Sequence, residues 1–175
     1  PPQDKLQHVL NLFNQGQMQQ ALEEASRLLK QFPKAFILYG QSAANGKSTI
    51  QEVLRRILPH DVICSISPGD MDKEQYLAKL IGASANLSDE LSSAAAISSD
   101  KFKAVITGDP VTAKIIYKEP VEFKPRAMHI LSTNVLPSFK GGIDAGIERR
   151  LLLIPFNRSI PVEERISDFE TKLMR

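Results

Sequence analysis

Cysteine is nearly absent. Cys64 stands alone, so no internal disulfide can form, and a reducing compartment suits the chain. It sits in an apolar run, where a thiol is expected to be buried and inert. An excess of one charge is also missing: the formal net charge is +2, which excludes a global basic field for polyanions. No run approaches the roughly 18 apolar residues of a membrane span, and no signal-peptide pattern is visible. The expectation is a cytoplasmic protein with no membrane partner. The first residue is Pro1 rather than Met, and the chain stops within a charged helical pattern, which reads as a fragment of a longer protein.

What is present is ordinary for a soluble globular domain: 175 residues, 42% hydrophobic and 24% charged, enough for one core and a small appendage. Charge is unevenly spread. Residues 1–100 carry 9 Lys/Arg against 11 Asp/Glu, and residues 101–175 carry 13 against 9, so a polyanion surface belongs in the second part.

Residues 1–34 read as a helical hairpin. Leu6, Val9, Leu10 and Phe13 have helical spacing, Asn14-Gln15-Gly16-Gln17 signals a turn, and Met18–Gln31 has Ala21, Leu22, Ala25, Leu28 and Leu29 on one face before Pro33. Gly16, Ala21, Ala25, Leu28 and Pro33 resemble one tetratricopeptide repeat. A single repeat cannot bury its own face, so a plain hairpin packing on the following domain stands beside a protein-docking module.

The central stretch is Gly40–Thr49, Gly-Gln-Ser-Ala-Ala-Asn-Gly-Lys-Ser-Thr. It follows the apolar run Ala35–Tyr39 and precedes a helical run to Leu58. Strand, small-residue loop, Gly-Lys-Ser and helix form the context of a phosphate-binding P-loop. Small residues let backbone N–H groups close on phosphate oxygens, and the helix N-terminus adds positive potential. Lys47 would reach the β- and γ-phosphates and Ser48 would ligate Mg²⁺. The loop is one residue longer than the usual pattern, leaving Gln41 where a glycine is expected.

Further strands are expected near 61–66, 84–88, 127–132 and 151–155, with helices at Asp72–Ile81, Ser98–Ile106 and Val162–Met174. Thr112–Tyr117 and Val121–Lys124 read as a β-hairpin around Lys118-Glu119-Pro120. Asp89-Glu90 closes a short strand, suited to hold Mg²⁺ and orient water. The alternative is a helix N-cap before Leu91. His129 reads as an ordinary strand histidine, since no partner has ligand spacing.

The ordered motifs resemble the superfamily 3 helicase domain of phage and plasmid primase–helicases, a branch of the AAA+ ATPases. They are Ala44-Asn45-Gly46-Lys47-Ser48-Thr49, Leu87-Ser88-Asp89-Glu90-Leu91, Gly108-Asp109 through Lys124-Pro125, Leu131-Ser132-Thr133-Asn134-Val135-Leu136-Pro137, and Arg149-Arg150-Leu151 to Pro155-Phe156. The resemblance implies a nucleotide site with Gly40, Ala44, Asn45, Gly46, Lys47, Ser48 and Thr49, and metal on Ser48 and Asp89. It further implies Asp89 and Glu90 as the acidic motif, Asn134 as the polar sensor, and Arg149 or Arg150 as an arginine finger reaching a neighbouring subunit. Lys114, Lys118 and Lys124 would follow single-stranded or forked DNA.

The expected fold is therefore an α/β three-layer P-loop NTPase, AAA+-like. It has a mainly parallel five-stranded sheet and an inserted β-hairpin over residues 35–160. A helical hairpin over residues 1–34 precedes it, and a further helical segment begins at residues 161–175. The expected function is an ATP- and Mg²⁺-dependent DNA helicase, working as a homo-oligomeric ring, commonly a hexamer, in replication of a phage, plasmid or other mobile element. The alternatives are a tetratricopeptide-type interaction module with a defective P-loop, and a monomeric P-loop NTPase or kinase.

Overall fold

The computed structural model describes residues 35–89 and 96–166, with residues 8, 11, 15, 17, 20 and 172 besides. The chain divides into two compact units, Pro1–Pro33 and Lys34–Arg175. The helical hairpin expected at 1–34 lies outside the described residues apart from those isolated positions.

In the second unit five parallel strands form one sheet. They are β1 (Ala35–Tyr39), β2 (Ile63–Cys64), β3 (Ala85–Ser88), β6 (Met128–Thr133) and β7 (Leu151–Pro155). Their order across the sheet is β2-β3-β6-β1-β7. β1 lies between β6 and β7, with Ile37 opposite Leu131 on one side and Leu153 on the other. A strand paired on both edges and covered on both faces reads as a continuous apolar run, as Ala35–Tyr39 does. β7 is an edge strand, where Pro155 is tolerated because an outward N–H would have no ladder partner.

Alternation along the strands sends side chains to two cores. Ala35, Ile37 and Leu131 join Phe102, Val105, Met71, Leu77, Val111 and Ile147 on one face. Leu38, Leu87 and Ile130 pack with Leu54 and Leu58 on the other. That second face is covered by α1 (Lys47–Ile57). The first is covered by α2 (Glu74–Leu77), α3 (Ser99–Thr107), α4 (Ala145–Glu148) and an antiparallel ribbon of β4 (Val111–Ala113) and β5 (Val121–Phe123). The result is three layers with a ribbon inserted before β6.

Several elements are shorter than their sequence patterns suggest. β2 is two residues, because His60–Val62 forms a 3₁₀ turn. The buried Asn86 side chain replaces the missing ladder: Ile66 N donates to its Oδ1 at 2.7 Å and its Nδ2 donates to Ile66 O at 2.9 Å. The helix expected over Asp72–Ile81 is α2 followed by a 3₁₀ turn at Ala78–Leu80. The helix expected from Val162 starts as a 3₁₀ turn, Val162–Glu164; beyond residue 166 only residue 172 is among the described residues. Cys64 is half-buried, and burial pushes its thiol up to about 11, which keeps it protonated.

His129 is fully enclosed in β6. Asn86 Nδ2 donates to its Nδ1 at 3.1 Å, which puts the proton of the neutral ring on Nε2, a buried atom without a hydrogen-bond partner among the described residues. Burial lowers its pKa from 6.5 to about 4. The unfolded chain then takes up the proton at higher pH than the folded one. Stability is complete above about pH 6.5 and falls as pH drops toward 4, by about 3 kcal/mol in all. Urea unfolding between pH 7 and pH 4 measures this. His129→Gln should flatten the acid limb, and an unchanged pH slope in that variant would place the titration elsewhere.

Candidate functional site

A cleft of about 490 Å³ opens at the carboxyl ends of the strands, where open α/β sheets bind ligands. Its lining comes from three places in the sequence: Ala43–Thr49 after β1, Asp89 after β3, and Ser132–Val135 at the end of β6. Ala44, Asn45, Gly46, Lys47, Ser48, Thr49, Asp89 and Asn134 all face this one space. Gly40, Arg149, Arg150, Lys114, Lys118 and Lys124 do not line it. Glu90 lies outside the described residues.

Gly46 enters α1 with φ 89°, a left-handed conformation natural to glycine. Lys47 is buried, and its Nζ donates to Gly40 O at 2.9 Å and Asn45 Oδ1 at 3.0 Å. An ammonium has three donors, so one remains for a ligand oxygen. Burial lowers the lysine pKa. Ser48 is exposed at the cleft. Gly40 has a packing role: a Cβ there would lie 2.6 Å from Phe156 O and 2.4 Å from Asn45 Nδ2.

Two residues of α1 that the motif reading passed over organise the floor. Gln51 is 1% exposed and donates to Ser88 O at 3.0 Å and Ser132 Oγ at 2.8 Å, tying β3 to β6. Arg55 donates through Nη2 to Asp89 Oδ2 at 2.7 Å and Leu87 O at 3.3 Å. Lys47, Gln51 and Arg55 are spaced four apart, one face of a helix, and that spacing was the available signal. Asp89 is thus held by a guanidinium through one oxygen. Thr133 Oγ1 donates to Val135 O at 2.5 Å and accepts from Val135 N at 3.1 Å, fixing the turn that carries the exposed Asn134.

The arginine pair separates. Arg150 donates from Nε to Thr107 Oγ1 at 2.7 Å and from Nη1 to Gly146 O at 2.8 Å. Arg149 is exposed, with no side-chain hydrogen bond or ion pair among the described residues. The β4–β5 ribbon is also shorter than expected. Its strands stop at Ala113 and resume at Val121, so the β-prone Ile115-Ile116-Tyr117 is apex rather than strand. Ile116 is 75% exposed, and Tyr117 is fully exposed with φ 62°. Lys114, Lys118 and Lys124 are exposed along this ribbon, and Lys114 N donates to Glu74 O at 3.1 Å at its foot.

No group of three or more His, Cys, Asp or Glu side chains suited to a metal occurs among the described residues. Mg²⁺ needs few protein ligands, since substrate phosphates and water complete its shell. Ser48 and the unbridged oxygen of Asp89 are compatible with that chemistry.

The fold has solved counterparts. Two apo structures of the NrS-1 C-terminal region superpose with TM-scores of 0.62 and 0.63 at 17% identity, covering 98% of this chain and 42% of theirs. In sequence, "Putative helicase L207/L206" of Acanthamoeba polyphaga mimivirus is 34% identical over 130 residues, 70% of this chain. The chain spans 13% of the length of that relative. A family described as of unknown function, DUF5906, matches residues 38–150, and the chain belongs to it.

Proposed function

We propose that residues 35–166 are the motor of a nucleic-acid helicase, hydrolysing ATP in the cleft and following single-stranded DNA with the β4–β5 ribbon. One observation carries the reading: Lys47, Asp89 and Asn134, from three separated strand ends, line one cleft at the mouth of a small-residue loop. The sequence relative named a helicase supports it.

Phosphoryl transfer needs positioning and charge compensation more than covalent chemistry. In this reading Gly46, Ser48 and Thr49 offer the N–H groups of the helix start to phosphate oxygens, and Lys47 gives its third donor. Asn134 contacts the γ-phosphate or the attacking water, and Glu90 orients that water. Ser48 and Asp89 would hold Mg²⁺, which would supply charge compensation at the phosphate oxygens. Arg149 reaches the ATP of a neighbouring subunit, so the active form is a homo-oligomeric ring. The test is ATP hydrolysis with and without single-stranded DNA at several protein concentrations. Turnover that rises with both supports the motor. Turnover indifferent to both supports a self-contained NTPase, and no nucleotide binding at all removes the cleft assignment.

The ribbon apex refines the DNA interaction. Lysines give salt-dependent backbone attraction, and an exposed ring gives a base something to stack on. Tyr117→Ala should weaken single-stranded DNA binding by about 1–3 kcal/mol, the worth of one stacked base. Lys118→Ala should lower the salt slope by about 0.7 for each phosphate no longer neutralised. Titrations across a salt series measure both. Affinity and slope unaltered in both variants would move the DNA-binding surface off this ribbon.

A further inference from the structure

The segment after β7 runs back along the Gly40–Gly46 loop and is bonded to it at several points. Phe156 N donates to Tyr39 O at 2.6 Å and Ile160 N to Ala44 O at 2.8 Å. Ser159 Oγ donates to Ala43 O at 3.3 Å. Asn45 Nδ2 donates to Ser42 O at 2.7 Å and to Phe156 O at 3.4 Å, while its Oδ1 accepts from Lys47 Nζ. Phe156 O therefore reaches the Lys47 ammonium through one side chain. Gly40, lacking a Cβ, lets Phe156 and Asn45 close over it.

The segment is itself tied down. Arg158 Nη2 donates to Glu164 Oε1 at 2.7 Å, and Arg165 Nε donates to Ile160 O at 3.0 Å. Ala44 holds φ 54°, a conformation that costs energy for a residue with a Cβ and persists where its surroundings impose it. Its carbonyl is the acceptor for Ile160 N. The longer loop is thus bonded from outside at the Ala43 and Ala44 carbonyls.

We propose that Phe156–Ile160 is a positioning strap: it sets the Ala43–Asn45 arch, and through Asn45 the Lys47 ammonium, so the longer loop binds nucleotide more tightly when strapped. This rests on the cleft being a nucleotide site. The strap touches no ligand in this assignment; Ile160 acts by its backbone N–H and Phe156 by its carbonyl.

The test uses the whole chain, a fluorescent ATP analogue with Mg²⁺, and thermal unfolding in parallel. Ile160→Pro removes the N–H and should raise Kd about fivefold, the worth of one net hydrogen bond, with the melting temperature kept. Ile160→Val keeps the N–H and should bind like the parent. Deleting Ala44 removes the strapped carbonyl and restores ordinary loop spacing; it should also raise Kd by about fivefold or more. If Ile160→Pro does not fold, the deletion decides. A deletion variant that binds as tightly as the parent, or tighter, overturns the strap. So does an Ile160→Val variant as weak as Ile160→Pro. A parent chain that fails to bind the analogue overturns the cleft assignment itself, a failure visible before any variant is made.

Discussion

Lys47→Ala should lose ATP turnover by about a hundredfold or more while the domain stays folded. The magnitude follows from removing a charged donor aimed where negative charge develops. Lys47 is buried, and its ammonium is held by Gly40 O and Asn45 Oδ1 rather than by a carboxylate. Among the described residues no carboxylate pairs with the charge, which leaves it available to phosphate. Desolvation lowers its pKa, and a polyanionic ligand would relieve that penalty. Alanine leaves two acceptors without this donor, a loss of about 1 kcal/mol each at most where the cleft admits water. Hydrolysis assays and thermal unfolding on the same sample measure both effects. Equal turnover in variant and parent would remove the P-loop reading; loss of turnover with loss of fold would make Lys47 structural.

Much of the sheet was legible because its central strands are doubly covered. Ala35–Tyr39 reads as a continuous apolar run and Met128–Thr133 as a strand with an apolar centre, Ile130-Leu131; each is a largely buried parallel strand. β2 was legible in position but not in length, because a side chain, Asn86, performs the pairing that backbone would otherwise supply. The ribbon misled by propensity: Ile115-Ile116-Tyr117 favours strand, yet Tyr117 takes a positive φ at an open apex. At the cleft, strand ends gave Lys47, Asp89 and Asn134 by their order in the chain. Gln51 and Arg55 escaped because polar residues on a helix usually face solvent, and only the packing over Ser88, Ser132 and Asp89 reveals their targets. The strap was invisible for a different reason. Its bonds are made largely by backbone groups, which every residue has, so no residue type advertises them. The longer loop, a departure from the usual spacing, is held through the Ala43 and Ala44 carbonyls.

The adjacent arginines were inseparable by spacing, and the structure gives each a different expected phenotype. The short helix α4 is anchored at its start: Ile147 N donates to Asp144 Oδ1 at 2.7 Å, and Lys103 Nζ bridges Asp144 Oδ2 at 2.7 Å. The Lys103 bond, then the backbone bond, holds the Asp144 carboxyl below its ordinary pKa. At the other end Arg150 grips Thr107 and Gly146, and its carbonyl accepts from Ala35 N at 2.7 Å. Its side chain is a fastener, and Arg150→Ala should lower stability by about 1.5–3 kcal/mol for each charged hydrogen bond removed. Arg149 is left exposed on this fixed base, as a group reaching another subunit must be. Arg149→Ala should leave the melting temperature unchanged and reduce turnover by about 10³–10⁵, the range for an arginine finger. A finger acting in trans, as proposed, predicts that mixing Arg149→Ala subunits with Lys47→Ala subunits restores part of the activity. Mixed neighbours pair an intact Lys47 site with an intact Arg149. Parent turnover per subunit should also rise with protein concentration. A folded Arg150→Ala variant that is inactive, beside an Arg149→Ala variant that is active, would reverse the assignment. Flat concentration dependence with no rescue would dissolve the ring and leave a monomeric NTPase.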